Sequence, residues 1–126
     1  MLRVMLVMLG GGAGSLARWG LSSATQRWLG AAYPLGTLAV NVLGCAAAGC
    51  VAAWLEARAQ ADDGMRLFAI VGVLGGFTTF SAFGLDTLAL LRDGRSGAAL
   101  GNVAANVLLG LAATALGWSA TRAWIT

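Results

Sequence analysis

Residues 67–85 read Leu67-Phe68-Ala69-Ile70-Val71-Gly72-Val73-Leu74-Gly75-Gly76-Phe77-Thr78-Thr79-Phe80-Ser81-Ala82-Phe83-Gly84-Leu85. No side chain in this run is charged. It comes within a residue of the roughly 20 mainly apolar positions that a helix needs to cross a bilayer. Two adjacent glycines followed by two β-branched threonines disfavour an unbroken helix near its centre. The run therefore predicts a spanning helix with a break after Gly75-Gly76. A break frees backbone carbonyls, which at membrane depth are satisfied by protein or by an ion. A bound cation is expected there.

Short polar stretches flank this run: Glu56, Arg58, Gln60, Asp62, Asp63 and Arg66 before it, and Asp86, Arg92, Asp93 and Arg95 after it. Beyond them, residues 28–55 and 96–121 carry no charge, and neither do residues 4–17. Four spans follow, at about 3–22, 35–56, 67–90 and 98–122. The first needs Arg18 at an interface or facing protein. The expected fold is an all-α membrane protein, one four-span domain over residues 1–126 with the third helix broken. The alternation that marks barrel strands is absent. Composition agrees, because 59% of residues are hydrophobic and 10% charged, against about a quarter charged in soluble domains. Arg3, the apolar run and Ser15-Leu16-Ala17 also fit a cleaved leader, but three later spans argue against a secreted product.

All eight basic residues are arginine. Arg3, Arg58, Arg66 and Arg122 fall on the side of the termini; Arg18, Arg27, Arg92 and Arg95 fall on the other. Orientation in the membrane follows an imbalance of such residues, and here there is none. Insertion in both orientations and an antiparallel homodimer are the simplest consequence. If Arg18 is intramembrane, a weak four-to-three bias remains. The net charge of +3 does not point to nucleic acid, because the arginines form no basic stripe interleaved with aromatics.

Enzyme chemistry is excluded on residue type. The chain has no histidine and no lysine to act as base, and its serines and threonines have no activating partner. Cys45 and Cys50 lie five apart, so a mutual disulfide is not expected and no metal-ligand spacing exists; they read as small core residues. Phosphate-loop motifs are missing. Proton coupling usually needs a carboxylate or histidine within a span, and only Asp86, at a span edge, comes near. Gly10 with Gly14 and Gly72 with Gly76 are pairs that let helix backbones approach.

The residues left inside the membrane are neutral and polar. They are Thr37 and Asn41 on the second span, Thr78, Thr79 and Ser81 beside Phe77, Phe80 and Phe83 on the third, and Asn102 and Asn106 on the fourth. Asn102, Asn106 and Gly110 share a stripe at i, i+4, i+8. Phe80 and Phe83 share a face. Amides and hydroxyls donate hydrogen bonds without net charge, and phenyl edges are weakly positive. Such a set suits a small anion and releases it readily, as conduction requires. Interhelical hydrogen bonding for the asparagines and simple packing for the phenylalanines remain open readings.

Three motifs carry a family resemblance: Gly10-Gly11 with Gly14-Ser15-Leu16-Ala17-Arg18-Trp19, then Tyr33-Pro34-Leu35-Gly36-Thr37-Leu38-Ala39-Val40-Asn41-Val42-Leu43-Gly44, then Gly72 through Phe83. Together they resemble the Fluc (CrcB-type) fluoride channels over nearly the whole chain. The resemblance implies a dual-topology dimer in the plasma membrane that exports cytoplasmic fluoride passively through two pores. It implies Phe80 and Phe83 as pore phenylalanines, Asn41 as the pore asparagine, and Thr79 and Ser81 as added hydroxyls. It further implies one central Na+ held by the backbone carbonyls of Gly75 and Thr78, Arg18 near an aqueous mouth, and a frequent carboxylate at Asp86. Trp19, Ser15, Ala46, Ala82 and Gly84 depart from the family pattern, as do Asn102 and Asn106, which stand where tyrosine and serine are usual. The small four-span multidrug exporters are similar in architecture only, because their first span carries a glutamate that this one lacks.

Overall fold

The computed structural model describes residues 1–58 and 63–125; Gln60 and Asp62 of the expected polar loop lie outside them. In chain order the elements are α1 (Leu2–Leu29), α2 (Leu35–Glu56), α3 (Asp63–Arg66), a π-helical segment (Leu67–Leu74), α4 (Gly75–Phe77), α5 (Phe80–Arg92) and α6 (Ser96–Ile125). Four helices are long and apolar enough to cross a bilayer: Leu2–Leu29, Leu35–Glu56, Asp63–Arg92 and Ser96–Ile125. The second matches the expected bounds. The first runs a further seven residues beyond residue 22, since Ser23, Thr25 and Gln26 continue the helix into the polar interface. It stops at Gly30, whose φ of 82° ends the helical path.

The molecule is inside-out by the standards of a water-soluble domain. The described residues bury only Val40, Ala53, Leu55, Leu90 and Ala99 as an apolar core. Leu2, Met5, Met8, Leu16, Leu108, Leu111 and Leu116 face outward. In water such a surface would drive aggregation; in lipid it is the solvated face.

Close backbone packing replaces large core side chains. The Gly10–Gly14 stripe of α1 lies on the π segment and α4. A Cβ on Gly10 would come within 2.6 Å of the Phe68 carbonyl, and one on Gly14 would run into the Val73 carbonyl. The most extensive pairing, α2 with α6, works the same way, with Gly49 against Thr114 and Gly117 against the Ala46 carbonyl. Without a hydrophobic drive between helices in lipid, such small-residue contact is what dispersion packing uses.

The two ends are pinned separately. Arg3 pairs with Asp63 at 3.3 Å. Nearby, Trp118 Nε1 donates to Glu56 Oε2 at 3.1 Å, and the Arg58 guanidinium lies 4.0 Å over the Trp54 ring. Tryptophan and arginine at one level mark a membrane–water interface. At the other end Arg95 Nη1 donates to the Ala32 carbonyl at 2.6 Å, tying the α1–α2 turn to the α5–α6 turn.

Gly14→Ala is expected to destabilise the protein by about 1–3 kcal/mol through overpacking, read from its thermal unfolding in detergent. Gly12→Ala, whose Cβ meets nothing within 4 Å, serves as the control and does not lower the transition, since alanine favours the helix.

Candidate functional site

Thr78 and Thr79 stand at the middle of the third span with extended backbone, at φ −77°, ψ 156° and φ −152°, ψ 112°. β-branched side chains favour this conformation. Thr79 then caps α5, its Oγ1 accepting from the Ala82 amide at 3.1 Å. An uninterrupted helix would send the Thr79 amide to the Gly75 carbonyl and the Ala82 amide to the Thr78 carbonyl. Both amides are diverted to side chains, so the carbonyls of Gly75 and Thr78 lose their helical donors.

Asn41 of α2 takes up the exposed peptide groups. Its Oδ1 accepts from the Thr79 amide at 2.9 Å, and its Nδ2 donates to the Thr79 carbonyl at 3.1 Å. The second Nδ2 hydrogen goes to Asn106 Oδ1 at 3.0 Å. Asn106 donates in turn to the Asn102 carbonyl and Oδ1 at 3.0 and 3.1 Å. Asn102 Nδ2 donates to Thr87 Oγ1 at 3.0 Å, and that hydroxyl donates to the Phe83 carbonyl at 2.8 Å. Gly44 lets α2 close on the break, since a Cβ there would strike the Thr78 methyl.

A cleft of about 240 Å³ opens beside this network, lined by Asn41, Cys45, Thr78, Thr79, Phe80, Phe83, Asn106 and Val107. The Phe80 and Phe83 rings lie 5.2 Å apart at 54° to one another, a tilted arrangement of the kind aromatic pairs favour. Phe80 is 83% exposed on the open side of the cleft. Thr79 Oγ1 and Ser81 Oγ share a hydrogen bond at 3.3 Å. Since Thr79 Oγ1 already accepts from Ala82, this pair of hydroxyls keeps one hydrogen for another acceptor. No charged side chain lines the cleft.

Most of the residues singled out from sequence thus meet here. Asn41, Thr78, Thr79, Phe80, Phe83 and Asn106 line the cleft, and Ser81 bonds to its wall. Asn102 is fully buried behind Asn106. Gly75 sits one turn before the break and does not line the cleft. Arg18 is half-buried on α1, one turn from Ser22, and is likewise outside it. Ser22 belongs to a second, polar cleft with Gln26, Tyr33, Thr37 and Asp86, where the Thr37 hydroxyl donates to Asp86 at 2.6 Å. Cys45, Val107 and Thr87 were not foreseen as site residues. Cys45 follows Asn41 by four and Thr87 follows Phe83 by four, so helical spacing was the signal that would have found them. Both cysteines are free.

A small four-span membrane protein with an uncharged polar cleft at a helix interruption is the class these features define. The profile of the CrcB-like proteins, described as camphor resistance (CrcB), matches residues 5–118. A relative from Solibacter usitatus is 45% identical over 92% of this chain and 95% of its own length. One from Rhizobium leguminosarum bv. trifolii is 44% identical over 98% of both chains. Another, from Paracoccus denitrificans, is 48% identical over 92% of this chain and 91% of its own. Each is named a fluoride-specific ion channel FluC. The chain belongs to the CrcB family and is a multi-pass membrane protein. That family is one of ion channels and not of enzymes, in line with the missing histidine and lysine.

Asn41→Ala removes the donor and acceptor that pair the Thr79 peptide. Leaving such groups unpaired costs about 1–3 kcal/mol each, so hydrogen exchange at the Thr79 amide is expected to accelerate by roughly tenfold or more, read by mass spectrometry on peptides covering residues 74–83.

Proposed function

We propose that the protein is a passive fluoride channel of the cell's plasma (inner) membrane. In this reading it works as an antiparallel, dual-topology homodimer with two pores, each lined by both subunits. The observation that carries the proposal is the cleft itself: neutral hydrogen-bonding groups and phenyl edges at a mid-membrane interruption, in a chain whose relatives are named fluoride-specific ion channels.

Fluoride is small and tightly hydrated, so a pore must replace much of its water shell. The spare hydroxyl hydrogen of the Thr79–Ser81 pair and the edges of Phe80 and Phe83 offer partial positive charge to it. Asn41 and Asn106 line the path and hold its backbone, with Asn102 behind them. Because these groups are uncharged, the ion is bound weakly enough to leave. Arg18, half-buried but outside the cleft, suits a mouth that gathers anions without trapping them. The driving force is the fluoride gradient with a membrane potential negative inside, so nucleotide and proton coupling are not needed.

The second subunit is supported by the shape of the cleft. Phe80 is turned outward on its open side, and an aqueous ion path cannot be walled on one side by lipid tails. Arg3, Arg58, Arg66 and Arg122 at one end face Arg18, Arg27, Arg92 and Arg95 toward the other, which supports insertion in both orientations.

A sodium ion fits the break chemically. The carbonyls of Gly75 and Thr78 are among those at the break that lose their helical donors, and hard oxygen donors suit a hard monovalent cation. When bound, the ion would supply a fixed positive charge near the anion path. The described residues hold no cluster of His, Cys, Asp or Glu that fits a transition metal.

Purified protein in potassium fluoride-loaded liposomes is expected to release fluoride rapidly once valinomycin lets potassium follow and removes the opposing voltage, with no chloride release in parallel. A folded protein that passes no fluoride would bring the small multidrug exporter reading forward. Phe80→Ile and Phe83→Ile, which keep bulk but lose the ring edge, are each expected to slow efflux by roughly tenfold. Asn41→Asp, which puts a negative charge and two acceptors beside the Thr79 carbonyl, is expected to abolish it in a protein of unchanged size on gel filtration.

A further inference from the structure

Five of the hydrogen bonds around the cleft form a chain that runs in one sense. The Thr79 amide donates to Asn41, Asn41 to Asn106, Asn106 to Asn102, Asn102 to Thr87, and Thr87 to the Phe83 carbonyl. The chain leaves the third span at the Thr79 amide, passes through α2 and α6, and returns to the same span at Phe83. It thus encloses Phe80 between its two backbone ends.

Donor counting shows how tightly its direction is set. Both amide hydrogens of Asn41 are used, one on the Thr79 carbonyl and one on Asn106. Both of Asn106 are used on Asn102. If the Asn106 amide turned over, its Nδ2 would face the Asn41 Nδ2, donor against donor. Asn41 would then have to turn as well, and its Nδ2 would meet the Thr79 amide. The orientation present gives every member a partner without setting donor against donor, and hydrogen bonds aligned head to tail polarise one another.

Two members of the chain do not touch the cleft. Asn102 has no exposed surface, and Thr87 lies on α5 beyond Phe83, outside the cleft lining. We propose that Thr87 and Asn102 are positioning residues, which anchor the far end of this donor chain and so brace Asn106, Asn41 and the Thr79–Phe80 peptide in place for the ion. A side chain at the far end of the chain, with no ion contact, then steadies the near end. The proposal rests on the channel reading for its effect on flux, but its structural half stands apart from it.

Thr87→Val is the decisive variant, because it keeps the branched shape and removes the hydroxyl that accepts from Asn102 and donates to Phe83. Full-length protein in liposomes would be assayed for fluoride efflux, alone and combined with Asn41→Ala. Thr87→Val is expected to slow efflux about tenfold, the worth of the lost Asn102–Thr87 hydrogen bond. Thr87→Ser, with the hydroxyl kept, is expected to restore most of the rate. Combined with Asn41→Ala, Thr87→Val is expected to add little further loss, since both act through one chain.

Hydrogen exchange at the Thr79 amide is the second readout and needs no ion. It is expected to quicken in Thr87→Val and not in Thr87→Ser, which decides the proposal even if the wild-type protein conducts no fluoride. Should Thr87→Val not fold, Thr87→Ala carries the same expectations. Wild-type efflux together with unchanged Thr79 exchange in the hydroxyl-free variant would overturn the proposal. So would losses that multiply with those of Asn41→Ala, which a merely local packing role would give.

Discussion

Peptide groups in hydrocarbon have no water to turn to, and each one left unpaired costs several kcal/mol. The extended backbone at Thr78 and Thr79, in the middle of the third span, is therefore the point on which the rest of the structure depends. Asn41 answers it by bonding both the amide and the carbonyl of Thr79. For Asn41 to reach that peptide, α2 must lie close to the break, which Gly44 permits. For the Asn41 amide to keep one orientation, α6 must supply Asn106, which in turn leans on Asn102 and Thr87. Three spans are joined through a single interrupted turn.

The same arrangement explains why so polar a set is tolerated in an apolar molecule. Among the described residues, no buried side-chain nitrogen or oxygen lacks a hydrogen-bond partner. The asparagines are thus not a reservoir of free donors. Most of their capacity goes into shape, and the groups with something left to offer are the Thr79–Ser81 hydroxyls and the edges of two phenyl rings. A weak, neutral lining is what rapid passage of an ion requires. The charged residues stand elsewhere: Asp86 bonds Thr37 in a separate cleft, and Arg95 closes two turns together.

Small residues do for this fold what large apolar ones do in water. Gly10, Gly14 and Gly72 bring α1 against the π segment, and Gly49 and Gly117 bring α2 against α6. Leucine and methionine are released to the lipid face, where they cost nothing. Gly117 packs against the backbone carbonyl of Ala46 in the same way.

The spans, the interruption-prone Gly75-Gly76-Phe77-Thr78-Thr79 run, the glycine pairs and the Asn102–Asn106–Gly110 stripe were legible in the sequence, because charge spacing and helical period are local properties of the chain. Several of the motif residues meet at one cleft. What each polar group does there was not legible. That Asn41 spends both amide hydrogens within the protein, that Asn102 is sealed behind Asn106, and that Thr87 and Cys45 belong beside the site depend on which helix faces which. A hydrogen bond between residues 38 or 65 positions apart is decided by packing, and in lipid that packing is set by where small residues allow backbones to meet.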